Sequence, residues 1–328
     1  MKKIFLICLM VTLLISGLAL VGCTSQVKPV DQTPAADEAT PTPEATPEPT
    51  PEPSWTMINE VKVDHMTNVE GFLNENFAIT VGYSGEIHYS NDGGKTWPRA
   101  ENASMCRFSL DIVDENLAWS GGNGNQIRVT KDGGKTWSAV TDFYAGGMHS
   151  HINFIDDKTG WVAASKKFAS TTDGGVTWTE MKLPEGVKSI GAISLRTAND
   201  GYFLSLDGQF FTTSDAGQTW NKQQDLGFDK FKIVDINNKI GMLNVSQVPV
   251  AEINFTDANN GMVTFIGLVQ GEGFKTWAMT TADGGSTWSS EQIILPDDFV
   301  ATTLFLTKDG KYLTLSTNSK RVLVLKHK

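Results

Sequence analysis

The sequence predicts an all-β fold, a β-propeller built from four-stranded blades. An octapeptide of the form Ser/Thr-x-Asp-x-Gly-x-Thr-Trp occurs five times, and its Asp residues are separated by 40, 41, 42 and 68 residues. A period of about 40–45 residues is typical of one four-stranded propeller blade. A second repeat accompanies the octapeptides: a short polar turn ends in Gly or Ala, and an apolar strand follows it.

Residues 1–22 have the pattern of a signal peptide. Lys2 and Lys3 precede an apolar run that ends in Leu20-Val21-Gly22-Cys23. This ending resembles the lipobox of bacterial lipoproteins, in which the Cys is acylated and the chain is cut just before it. The resemblance implies that Cys23 carries a palmitate-type lipid anchor on the outer side of the bacterial cell membrane. An ordinary secretory signal and an uncleaved membrane helix are the alternatives.

Residues 23–54 are interpreted as the lipidated Cys followed by a linker. From Thr33 to Pro53 the dipeptides Thr-Pro and Pro-Glu recur, and no large apolar residue interrupts them. Such a segment buries too little apolar surface to offset its ordering entropy, so we expect disorder with a bias towards extended polyproline conformations. The propeller is expected to occupy residues 55–328.

The composition excludes several classes of protein. The chain has 27 Lys plus Arg against 37 Asp plus Glu, a formal net charge of −10, which argues against a nucleic-acid partner. Of its three Cys residues, Cys8 belongs to the signal and Cys23 to the anchor, so Cys106 alone cannot form an internal disulfide. We expect a monomer without a cofactor.

The octapeptide has the chemistry of a tight turn. Its central Gly supplies a positive φ, its Asp accepts hydrogen bonds from backbone amides, and Thr and Trp suit the start of a strand. The motif resembles the Asp box, or BNR repeat, of sialidases, sortilin-type receptors and photosystem II assembly-factor-like propellers; the last are most similar, over residues 66–295. The resemblance implies a turn between the outer two strands, away from the ligand face, and we expect each Trp to pack between blades. The structural residues of the boxes are Asp92, Trp97, Asp132, Trp137, Asp173, Trp178, Asp215, Trp220, Asp283 and Trp288.

Six blades are the favoured count, and seven are the alternative. Four blades are regular, and a further blade surrounds Asp283. The 68-residue gap contains two extra strand-like runs, Phe231–Val234 and Ile240–Leu243, which fit an extra hairpin. The C-terminus adds three strands without a box. A fourth strand from residues 55–63 would close the ring with the two ends of the chain and leave no free sheet edge.

The ligand face that the resemblance implies is the mouth of the central channel, where the innermost strands start. The Gly or Ala that ends the short polar turn of the second repeat opens the second strand of each blade. Counting back 11 and 9 residues from it finds polar side chains on the innermost strands of three blades. These candidate ligand-binding residues are Arg107, His149, His151 and Glu252. Strand alternation points both imidazoles to one face, so a zinc or copper site with Glu252 as third ligand is an alternative function.

These observations favour a membrane-tethered extracytoplasmic propeller that binds a protein or a glycan at its channel mouth. No catalytic set is evident. A sialidase needs arginines in the channel, but Arg99 and Arg128 flank boxes and so belong to outer strands, and the Arg-Ile-Pro segment typical of sialidases is absent. An enzyme is therefore the less favoured interpretation. A glycoside-acting enzyme remains an alternative, which two channel carboxylates about 5–9 Å apart would support.

Overall fold

The computed structural model describes residues 52–65, 67–82, 84–103, 107–122, 126–140, 149–164, 167–187, 189–228, 251–269, 272–317 and 320–328. The predicted anchor at Cys23, the lone Cys106 and the predicted extra hairpin between Phe231 and Leu243 lie outside these residues. Within the described ranges, no helix is long and apolar enough to cross a membrane.

Six antiparallel sheets make up the described part of the chain, one for each blade. The first strand, β1 (Trp55–Lys62), belongs to the last blade. Blade 1 contains β2 (Val69–Phe72), β3 (Ala78–Val81) and β4 (Ile87–Ser90). Blade 2 contains β5 (Arg107–Ile112), β6 (Ala118–Gly122), β7 (Ile127–Thr130) and β8 (Ser138–Ala139). Blade 3 contains β9 (His149–Phe154), β10 (Gly160–Ala164), β11 (Lys167–Thr171) and β12 (Thr179–Met181).

The remaining blades follow the same order from the innermost strand outwards. Blade 4 contains β13 (Ile190–Leu195), β14 (Gly201–Ser205), β15 (Phe210–Thr213) and β16 (Asn221–Lys222). Blade 5 contains β17 (Ala251–Phe255), β18 (Gly261–Val269), β19 (Gly273–Thr281) and β20 (Ser289–Ile293). Blade 6 contains β21 (Thr303–Leu306), β22 (Tyr312–Ser316) and β23 (Arg321–His327), with β1 as its outermost strand.

The two ends of the chain close the ring in blade 6. Strand β1 pairs antiparallel with β23, so that Trp55 lies opposite His327 and Lys62 lies opposite Arg321. This arrangement confirms the six-blade prediction and the predicted closure. Blade 1 departs from the four-stranded pattern, because an isolated bridge between His88 and Arg99 takes the place of its outermost strand.

Each octapeptide follows the third strand of its blade and leads to the outermost position. In blade 2, Asp132 accepts hydrogen bonds from the Thr136 amide at 2.9 Å and the Thr136 hydroxyl at 2.7 Å. Thr130 donates to Asp132 at 2.8 Å and accepts from the Gly134 amide at 2.9 Å. Gly134 has a φ of 86°, a conformation that L side chains rarely adopt. Both carboxylate oxygens are therefore used within the turn.

The core is divided into six clusters of buried apolar residues, each between two neighbouring blades. In five of them a box Trp packs against its own blade and the preceding one. Trp137, which is 2% exposed, contacts the cluster that joins Ile79 of blade 1 to Ile112 of blade 2. The other four are Trp97, Trp178, Trp220 and Trp288.

The Gly at the start of a second strand is explained by the aromatic ring beside it. A Cβ on Gly160 would lie 2.3 Å from the Phe154 ring, and a Cβ on Gly201 would lie 2.1 Å from the Trp161 ring. Real Cβ atoms do not approach other atoms so closely. At Gly160, Gly201 and Gly261 the second repeat therefore marks places where an aromatic side chain packs directly on backbone.

Candidate functional site

Six innermost strands, one from each blade, enclose the central channel, and each contacts the next around the ring. Three of them, β5, β9 and β13, shift register against their neighbouring strand at the end where they begin. A bulge at this point interrupts strict alternation of side chains between the two faces. At the starts of β5, β9 and β13, the direction of a side chain therefore does not follow from its position in the sequence alone.

The predicted ligand-binding residues start three of these strands or lie close to the start. Arg107 and His149 are the first residues of β5 and β9, and their side chains lie outside the described part of the structure. His151 is half-buried, and its Nε2 is 2.9 Å from the Gly191 carbonyl oxygen of the next blade. Desolvation lowers the pKa of His151 to about 4, so its imidazole is neutral at pH 7 and one nitrogen already has a protein partner.

Glu252 differs from its neighbours in the channel. It lies on β17 and is half-buried, and no hydrogen bond or ion pair to its carboxyl is found among the described residues. The pKa of Glu252 is raised to about 8: burial is the largest cause, the carboxylate of Asp111 adds to the increase, and the ammonium of Lys308 opposes it. At neutral pH the carboxyl is mostly protonated, so Glu252 is an uncharged group with no hydrogen-bond partner among the residues that the structure describes.

Asp111 and Lys308 form an ion pair across the channel. The Lys308 Nζ lies 2.7 Å from Asp111 Oδ1, and the backbone amide of Phe154 donates to Oδ2. Lys308 comes from the turn between β21 and β22, so the pair joins blade 2 to blade 6. Both oxygens of Asp111 therefore have partners on neighbouring blades.

A ring of polar side chains on the inner strands was not identified from the sequence. Its members lie seven residues before the second-strand Gly or Ala: Asp111, Asn153, Ser194 and Asn254. The side-chain oxygen Oδ1 of Asn153 accepts a hydrogen bond from the Leu195 backbone amide at 2.8 Å. The side-chain nitrogen Nδ2 of Asn254 donates to the Leu306 backbone carbonyl at 3.1 Å. Each therefore joins its blade to the next. Counting back seven residues as well as 11 and 9 would have found them.

A second buried carboxyl holds the closing junction between blades 6 and 1. Glu70 of β2 accepts hydrogen bonds from the hydroxyls of Ser316 and Thr303. Burial raises its pKa, and these hydroxyls together with that of Thr67 partly oppose the increase. The arrangement connects the first blade to the last.

The metal-site alternative rests on side chains that are only partly described. Among the residues that the structure describes, no group of three or more His, Cys, Asp or Glu could hold a metal ion. His151 uses Nε2 towards Gly191, and Glu252 lies on a strand of a different blade.

Comparison with known proteins agrees with the architecture. No protein-family model and no curated protein matches the chain. A solved structure of YCF48 bound to a D1 peptide has a TM-score of 0.52 and 15% identity, covering 85% of this chain and 99% of its own. The WD40 β-propeller domain of Doa1 has a TM-score of 0.50 and 10% identity, covering 84% and 97%. At these identities the likeness shows a shared fold alone: the chain is a six-bladed β-propeller.

Proposed function

We propose that this chain is a membrane-tethered extracytoplasmic propeller that binds a protein segment in its channel through a basic side chain of that segment. The observation that carries the proposal is the half-buried carboxyl of Glu252, which has no partner among the described residues. A Lys or Arg side chain placed beside it would ionise the carboxyl and form a charge-assisted hydrogen bond. The formal net charge of −10 favours the approach of such a basic segment.

The surroundings of Glu252 support binding rather than catalysis. Asp111 is held by Lys308 and by the Phe154 amide, and His151 is bonded to Gly191. These contacts fix the channel wall, and among the described side chains named here they leave the carboxyl of Glu252 available to a ligand. A similar propeller has been solved with a peptide bound, which favours a protein segment over a glycan as the ligand.

Selection of random displayed peptides on the purified propeller, residues 52–328, tests the proposal. We expect enrichment of peptides with Lys or Arg, and an affinity about tenfold lower when the same peptides are measured against Glu252→Gln. The matched control is Glu180→Gln, which removes an exposed carboxylate on outer strand β12 and should leave the affinity unchanged. Equal binding to wild type and Glu252→Gln would show that the channel carboxyl is not the recognition group.

The anchor at Cys23 forms the second part of the proposal. Replacing Cys23 with Ser should release the protein from the membrane fraction, because no thiol is then present at the lipobox position. Fractionation and mass spectrometry of the N-terminal peptide measure the change, with Cys106→Ser as a control that stays in the membrane fraction. A processed Cys23→Ser chain that remains membrane-bound would contradict a lipid anchor at this residue.

A further inference from the structure

The junction between blades 5 and 6 contains a groove of about 640 Å³. The other five junctions each contain the indole of a box Trp. Blade 6 has no box, because its third strand β23 and outermost strand β1 come from opposite ends of the chain. At the position of the missing turn, the Lys328 amide donates to the Ser54 carbonyl at 2.9 Å. We name the space beside it the junction groove.

Two features of the sequence leave this groove open. The indole of Trp55 reaches the junction from β1, where its ring lies 4.9 Å from that of His327, and not from a box turn. The third strand of blade 5 also carries a small residue, Ala278, three positions before its box Thr. At the same register position the other blades carry larger side chains, namely Ile87, Ile127, Phe168 and Phe210.

The lining of the junction groove combines an apolar floor with polar walls. Trp55, Met262 and Ala278 are buried, whereas Thr280 and Glu291 are half-buried on the wall. Trp55 is only 7% exposed, and its Nε1 has no hydrogen-bond partner among the described residues. The buried apolar floor favours an aromatic or other apolar side chain as the occupant of the groove.

We infer that the junction groove binds an aromatic side chain, of the indole class, presented by a turn of a partner protein. The five occupied junctions show what these inter-blade spaces accommodate: at three of them the indole lies edge-on to an aromatic ring, with interplanar angles of 87°, 88° and 90°. The site is separate from the channel, so the inference does not depend on the role of Glu252.

A synthetic peptide with the chain's own box sequence, Thr281–Trp288, is a suitable probe because it carries both the turn and the indole. Binding to the mature chain, residues 23–328 in detergent micelles, is followed by NMR through the indole N–H of Trp55, which a Trp55→Phe variant assigns. We expect a dissociation constant of about 1 mM or lower, since one side chain supplies most of the contact. The control peptide has Ala in place of its Trp and should bind about tenfold more weakly or worse.

Two variants fill the groove with side chains found at equivalent positions. Ala278→Phe copies Phe210, and Thr280→Tyr copies Tyr89. Each variant should weaken peptide binding about tenfold or more while its circular dichroism spectrum stays that of wild type. Glu252→Gln should leave peptide binding to the junction groove unchanged. Loss of binding in either folded variant supports the inference.

Three results would overturn the inference. The first is equal binding of the Trp and Ala peptides. The second is undiminished binding by both filled variants. The third is binding by the isolated propeller (52–328) but not by the mature chain, because residues 23–51 would then occupy the groove in place of a partner.

Discussion

Replacing Trp137 with Ala is expected to lower the free energy of unfolding by about 3–5 kcal/mol. The indole is 2% exposed and lies in the cluster that joins blades 1 and 2, where it also donates to the Gly134 carbonyl at 3.1 Å. Removing it leaves a cavity between two sheets whose backbones are fixed by their neighbours in the ring. The junction cannot collapse freely, so the cost should fall in the range for large buried aromatic residues.

Chemical denaturation of the propeller, followed by fluorescence and circular dichroism, measures this loss. The control is Lys135→Ala in the same octapeptide, because Lys135 is exposed and its replacement should change the free energy of unfolding by less than about 0.5 kcal/mol. A loss of that small size for Trp137→Ala would mean that the indole does not stabilise the junction.

The fold could be predicted from the sequence because its signals are local and repeated. Each box is a turn held by hydrogen bonds within eight residues: Thr136 donates to Asp132, and the Gly134 amide donates to the Thr130 hydroxyl. Ring closure could be predicted because three C-terminal strands required a fourth. The turns do not depend on contacts between distant parts of the chain, and the closure, which does, followed from the strand count.

The chemistry of the channel was less predictable because it depends on contacts between blades. Glu252 was found by counting, but its environment is set by Asp111 of blade 2 and by Lys308 from a turn of blade 6. Register shifts at the starts of β5, β9 and β13 interrupt the alternation used for Arg107 and His149. No periodic pattern in one blade contains this information.

The pH dependence of stability is expected to differ strongly between wild type and Glu252→Gln. In the unfolded chain the carboxyl has a pKa of about 4.3, whereas burial raises the pKa of Glu252 to about 8 in the folded protein. Below about pH 4 Glu252 is protonated in both states, so it adds no pH-dependent difference. Between these two pKa values the unfolded state binds fewer protons than the folded state, so wild-type stability falls as the pH rises.

The Gln variant carries a neutral amide at every pH and does not lose stability through this group. Its free energy of unfolding should therefore increase relative to wild type by about 1.4 kcal/mol per pH unit, reaching about 5 kcal/mol near pH 8 and then levelling off. Denaturation curves at unit steps from pH 4 to pH 9 measure the difference, and Val176→Ala, at a 63% exposed position without a titrating group, should run parallel to wild type. A difference between wild type and Glu252→Gln that is constant with pH would mean that Glu252 is ionised in the folded channel. A basic ligand would then find a charge already present, and binding would release no proton.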